Sequence, residues 1–191
     1  NAYTGTDSIT FTIDNTAPTV TLTDTDSDNI VKDSDTVTIT ATFNEDMATA
    51  PTIRIGSLVT DVIMTATSTT TWTYAWDVPS GSDGTVSATV SGTDIAGNAY
   101  TGTDSITFTI DNTAPVISLT TVSSNNANIS VTFSEPIYNT NTGSGAIEAS
   151  DFTLSLSGGT AILSSATPSS ISVSGNIYTL DLPLSGTPNG S

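Results

Sequence analysis

Asn1-Ala-Tyr-Thr-Gly-Thr-Asp-Ser-Ile-Thr-Phe-Thr-Ile-Asp-Asn-Thr-Ala-Pro18 recurs without a change at residues 98–115. The displacement of 97 residues is the length of one small all-β domain, so the chain reads as a window on a tandem array. Within the repeated stretch Ile9, Phe11 and Ile13 alternate with threonine, as a strand with one apolar face requires. The frame follows from the repeat. Residues 1–14 are expected to be the last strand of a preceding repeat, and 15–111 one complete repeat. Residues 112–191 are expected to be a second domain of a related type, incomplete at its C-terminal side. A string of β-domains points to an extended surface or adhesive protein rather than to catalysis.

Composition narrows the partners. The 191 residues include no Cys, His or Gln, and Lys32 and Arg54 are the only basic side chains. Nineteen acids, sixteen of them Asp, give a net charge of −17. Such a field repels nucleic acid and anionic lipid, and it destabilises the compact state unless cations bind. No apolar run approaches the ~18 residues needed to span a bilayer, so no membrane insertion is expected. A chain without cysteine fits a cytosolic protein, or a bacterial surface protein stapled by metal instead of disulfides.

Alternation of period two runs through nearly the whole chain, and no segment has a persuasive helical period. Seven strands are predicted in the complete repeat, over 19–23, 36–43, 52–55, 58–66, 70–78, 85–93 and 105–110. Residues 36–43 place Val37, Ile39, Ala41 and Phe43 on one face and four threonines on the other. Trp72, Tyr74 and Trp76 form an aromatic stripe, read here as core rather than as a ligand platform. Downstream, strands are predicted near 116–121, 128–133, 151–157, 160–164, 170–174 and 177–182. One apolar and one hydroxyl-rich face per strand define the fold class: all-β, tandem immunoglobulin-like antiparallel β-sandwiches.

Asp-Asn-Thr-Ala-Pro at 14–18 and 111–115, Thr-Phe-Asn-Glu at 42–45 and Gly-Thr-Asp-Ile-Ala-Gly-Asn at 92–98 carry a resemblance. The chain resembles the tandem bacterial Ig-like repeats of large surface adhesins, the extender-type domains. Val-Thr-Phe-Ser-Glu at 131–135 and the strand-like runs from Asp151 and Ile177 are similar to a related Ig-like type. The resemblance implies a secreted, cell-attached chain of many domains on a bacterial surface, its immediate partners being the neighbouring Ig-like domains of the same chain.

The acids fall into two sets that invite a hard cation. In a seven-strand sandwich, successive loops alternate between the two ends. Glu45 and Asp46 therefore share an end with Asp94, Asn98 and the incoming residues Asp14 and Asn15. Ca²⁺ takes six to eight oxygens from carboxylates, Asn and backbone carbonyls, which is what these loops offer. The same arrangement would place Asp111, Asn112 and Glu135 at the next junction. The second set is Asp24, Asp26 and Asp28 with Asp35 at the twelfth position, the ligand ladder of an EF-hand loop without its helices. It departs from that pattern in Asn29 at the glycine position and in Asp35 at the glutamate position. A solvated acidic turn is the plain reading of the same residues.

Other functions have weaker support in the residues. The usual nucleophile–base pairs of enzymes are missing, so no enzymatic activity is expected. Lys32 lies in an acidic loop and serves as a solvated counter-charge rather than as an isopeptide-forming lysine. Outward Thr-x-Thr rows raise a carbohydrate- or ice-binding module, although β-propensity alone explains them. Strand exchange between neighbouring copies would make a homopolymer, the subunit of an extracellular filament or surface layer assembled by β-strand donation. Asn128-Ile-Ser130 is a glycosylation-type triplet.

Overall fold

The computed structural model describes residues 4–140, 144–158 and 160–185. It divides into two units, Asn1–Thr113 and Ala114–Ser191. The first contains β1 (Val20–Asp24), β2 (Ile30–Val31), β3 (Thr36–Phe43), β4 (Thr52–Ile55), β5 (Val59–Ile63), β6 (Thr65–Ala66), β7 (Thr71–Asp77), β8 (Gly84–Ser91) and β9 (Ile106–Ile110). They build a four-stranded sheet, β1-β3-β7-β6, and a five-stranded sheet, β2-β9-β8-β4-β5.

The alternation read from the sequence explains why these strands make a sandwich. β3 buries Val37, Ile39, Ala41 and Phe43, and β7 buries Trp72 and Trp76 from the same sheet. β4, β8 and β9 answer with Ile53 and Ile55, Ala88 and Val90, and Ile106, Phe108 and Ile110, all in one apolar cluster. Trp76 and Phe108 meet across the core with ring centroids 5.3 Å apart. Burial of a large apolar side chain stabilises by ~1.5–3 kcal/mol, so this cluster carries the unit. The opposite face is a threonine lattice. Register places Thr21, Thr42 and Thr71 in one cross-strand row and Thr23, Thr40, Thr73 and Thr65 in the next. Hydroxyls and β-branched stems suit a solvated pleat.

Two expectations for this unit need correction. The 24–35 stretch is not a single loop, because β2 crosses to the other sheet and pairs parallel with β9, Ile30 opposite Thr109 and Val31 opposite Ile110. Two residues are too few to show a period, yet Val31 enters the core and fixes the crossing. The strand expected over 58–66 is two strands. β5 pairs with β4, the chain breaks at buried Met64, and β6 pairs with β7 in the opposite sheet.

The second unit has β10 (Ile117–Val122), β11 (Asn128–Phe133), β12 (Ile162–Leu163), β13 (Ile171–Ser174), β14 (Ile177–Asp181) and β15 (Leu184–Ser185). β10-β11-β14-β13 form a four-stranded antiparallel sheet, and β12 and β15 pair separately. Its centre is Tyr178, in edge contact with Phe133 at 5.4 Å and beside Phe152 at 6.3 Å. The strand expected over 151–157 is absent. A short 3₁₀ turn, Ala149–Asp151, stands at its start, where Asp151 Oδ2 accepts from Glu148 N at 2.8 Å. Beyond it Leu154 N donates to Ala166 O at 2.7 Å without a ladder forming. Alternation reports a face; it does not supply a neighbouring strand.

Candidate metal centre

Three side chains far apart in sequence meet at one end of the first unit. Asp14 lies on the incoming segment, Glu45 follows β3, and Asp94 follows β8. One carboxylate oxygen from each lies within 4.8 Å of the others, the one such group of three among the described residues. A cleft lined by Thr12, Asp14, Glu45, Asp46, Ile95 and Ala96 opens on them.

Local structure explains how each carboxylate is held. Asp94 closes the turn 94–98: its N–H donates to Asn98 O at 3.0 Å, and its Oδ1 accepts from Asn98 N at 2.7 Å. Gly97 supplies the turn's left-handed residue at φ 98°. Asn98 Nδ2 then donates both to Asp94 Oδ2 at 2.8 Å and to Asp14 O at 3.2 Å, tying the turn to the incoming segment. Asn44 does the same for the loop after β3, its Oδ1 accepting from Thr19 N at 2.7 Å. Asp14 Oδ1 accepts from Thr16 N at 2.9 Å. Asn15 and Asp46 are exposed, and neither belongs to the group of three.

The electrostatics are uncompensated. Partial burial, the charges of Asp14 and Asp94, and a hydrogen bond shared with Asp14 all raise the Glu45 pKa. Asp94 goes the other way. It is 1% exposed, and burial opposes its charge. The Asn98 side chain and the backbone donors of Asn98, Gly97 and Ala96 outweigh that and lower its pKa. The site thus fixes one carboxylate as an anion and crowds two more against it. Oxygen donors of this kind suit a hard divalent cation.

The remaining acids are placed differently. In the 24–35 stretch Asp24, Asp26, Asp28 and Asp35 turn back on the chain. Asp24 Oδ1 accepts from Asp26 N at 2.9 Å, Asp26 Oδ1 from Asn29 N at 2.5 Å, and Asp28 Oδ1 from Ile30 N at 3.1 Å. Asp35 accepts from Lys32 N at 2.9 Å and pairs with Lys32 Nζ at 3.5 Å. The structure does not gather Asp24, Asp26, Asp28 and Asp35, because β2 draws the loop across the sandwich and the side chains cap its turns. Asn29 adopts the left-handed conformation at φ 60°.

Asp111 and Asn112 leave the first unit after β9. Asp111 Oδ1 accepts from Thr113 N at 3.1 Å, and Asn112 Oδ1 accepts from Asp33 N at 2.7 Å. Asp83 holds this exit. Its Oδ1 accepts from Asn112 N at 2.9 Å and its Oδ2 from Thr113 Oγ1 at 2.6 Å, which lowers its pKa. A Gly-flanked Asp gives no sign of so distant a partner. Glu135 belongs to the second unit, just past β11. There Asn128 is half-buried and its Nδ2 donates to Asp181 Oδ1 at 3.1 Å.

Comparison with known families agrees with an Ig-like all-β fold. The profile of the bacterial Ig-like domain (group 3) matches residues 70–184, more than half of the chain. The chain belongs to the bacterial Ig-like domain (group 3) family. No curated protein and no solved structure matches it. Domains of the group 3 family are typically structural modules without enzymatic activity, commonly on the bacterial surface. No helix among the described residues is long and apolar enough to cross a membrane.

Proposed function

We propose that the chain is an extender segment of a secreted bacterial surface adhesin, with Ca²⁺ holding the incoming segment of the first unit to its loops. The convergence of Asp14, Glu45 and Asp94 carries this reading, since each comes from a different part of the chain. Three carboxylates that repel one another in the folded state become ligands when a cation sits between them. Asp14 would anchor the segment ahead of β1, while Glu45 and Asp94 would anchor the loops after β3 and β8. Binding of this sort fixes the direction in which one domain follows the next, and stiff junctions are what reach away from a cell surface requires.

Extracellular calcium modules bind in the ~10⁻⁴–10⁻³ M range, so such a site fills outside a cell. A ligand that binds only the folded form stabilises it by mass action. Thermal melting of the chain in millimolar calcium and in chelator, at one ionic strength, tests the proposal. The expected result is a higher Tm in calcium, lost in Glu45→Gln and in Asp14→Asn. Equal melting temperatures in calcium and chelator would overturn it.

A further inference from the structure

Val59-Thr-Asp-Val-Ile-Met64 holds four large apolar residues, a threonine and a single charge, with neither Gly nor Pro. Windows of that composition are the ones that stack strand on strand between chains. Here the window lies at the edge of a sheet. The five-stranded sheet ends in β2 on one side and in β5 on the other. β2 is two residues long and offers an incoming strand little to match, whereas β5 has five. Val62 and Ile63 are 40% and 68% exposed, and no strand lies on the outer side of β5 among the described residues.

The one charge of the window, Asp61, stands where the strand leaves regular geometry. Thr52 is opposite Ile63, Ile53 opposite Val62 and Ile55 opposite Val59. Arg54 alone therefore faces both Thr60 and Asp61, which makes a β-bulge. Asp61 takes the left-handed conformation at φ 51°. Among the described residues Asn29 and Asn126 are the other non-glycines that do so, and both lie outside strands. An L-residue is strained there, and glycine would hold the same bulge without strain. Asp61 brings a carboxylate instead, whose Oδ2 accepts from Arg54 at 2.8 Å. Arg54 is one of two basic side chains in the chain. A charge is thus kept where the backbone favours glycine, and a scarce arginine holds it in the bulge.

Stability does not account for this arrangement, since an ion pair as exposed as this one contributes little. Position at the edge does. A bulge interrupts the row of main-chain groups that an incoming strand must match. A charge in the middle of an apolar window also meets its own image when two such strands pair antiparallel.

We propose that Asp61, held in the bulge by Arg54, guards β5 against pairing with β5 of a second copy of the chain. Arg54 is the positioning residue of the guard. The device uses none of the three carboxylates of the cation site, so it stands or falls apart from calcium.

Sedimentation velocity of the 191-residue chain from micromolar to millimolar concentration, at one ionic strength, tests this with three variants. Asp61→Val removes the charge and favours extended backbone. Asp61→Asn removes the charge and keeps a residue that tolerates the left-handed conformation. Asp33→Asn, at an exposed position in another turn, changes the net charge by the same amount. Asp61→Val should reach half-association at a concentration about tenfold below any at which the parent does, and Asp61→Asn about threefold below. Asp33→Asn should match the parent. Hydrogen exchange in associated Asp61→Val should slow over residues 59–63. Association of Asp61→Val no stronger than that of Asp33→Asn, or association that leaves exchange over 59–63 unchanged, would overturn the proposal. If Asp61→Val lacks a cooperative melt, Asp61→Asn decides, and behaviour identical to Asp33→Asn would overturn it.

Discussion

Glu45 and Asp94 lie at the same end of the first unit and respond to it oppositely, and pH separates them. The Glu45 pKa is raised in the folded state by partial burial and by its acidic neighbours. Without metal the native state then holds a proton that the unfolded chain gives up more readily. Its contribution is present below the ordinary carboxylate range, near ~4.3, and is lost as pH rises through the raised value. Asp94, Asp83 and Asp181 have lowered values, so their contributions are present above that range and are lost as pH falls through the folded pKa. Denaturant midpoints between pH 3 and 7 in chelator should therefore fall at both ends. In Glu45→Gln the fall on the upper side should flatten, and the Tm in chelator should match or exceed that of the parent. Calcium should no longer raise it. An unchanged pH profile in this variant would contradict the crowding of charge at this end.

At the scale of the element, the duplicated Ile-Thr-Phe-Thr-Ile gives an internal control. Phe108→Ala removes a fully buried ring and should cost about 3–5 kcal/mol. Phe11→Ala, in the same local sequence, touches an exposed ring and should stay within about 0.5 kcal/mol for the monomer. Urea titration at low concentration reads both, and equal costs would deny the difference in burial. The contrast also marks what a sequence reading reaches. β3 and β4 were legible to the residue, since long alternation with a clear apolar face leaves one register. The ends of β7 and β8 shifted by a residue or two, as hydrogen-bond ladders fray. β2 was invisible because two residues carry no period, and the break at Met64 was invisible because one buried methionine looks like the rest of a strand. The Asp14, Glu45 and Asp94 group could be read from loop order alone, since strand number dictates which loops share an end. The fate of Asp24, Asp26, Asp28 and Asp35 could not, because each satisfies a backbone donor within three residues of itself.

Across the whole molecule the two units are unequally built. Nineteen buried apolar residues pack in the core of the first among the described residues, against Val131, Tyr178 and Leu180 in the second. Calorimetry of the monomer should show two transitions, with the second unit melting first and calcium shifting only the later one. A single transition that moves as a whole with calcium would contradict this division. The parallel pairing of β2 with β9 has a consequence of another kind, under tension. Thr109 N donates to Asn29 O at 2.8 Å and Asp111 N to Val31 O at 2.9 Å, across strands that run the same way. A pull between residues 14 and 113 passes through β1 into β2 and leaves through β9. Parallel strands drawn from opposite ends slide along one another, so these bonds are loaded in shear and must yield together, whereas a hairpin unzips one bond at a time. Resistance to such loading is a matter of unfolding rate more than of equilibrium stability. A pair of residues too short to read as a strand thus becomes the latch on which the first unit holds when stretched.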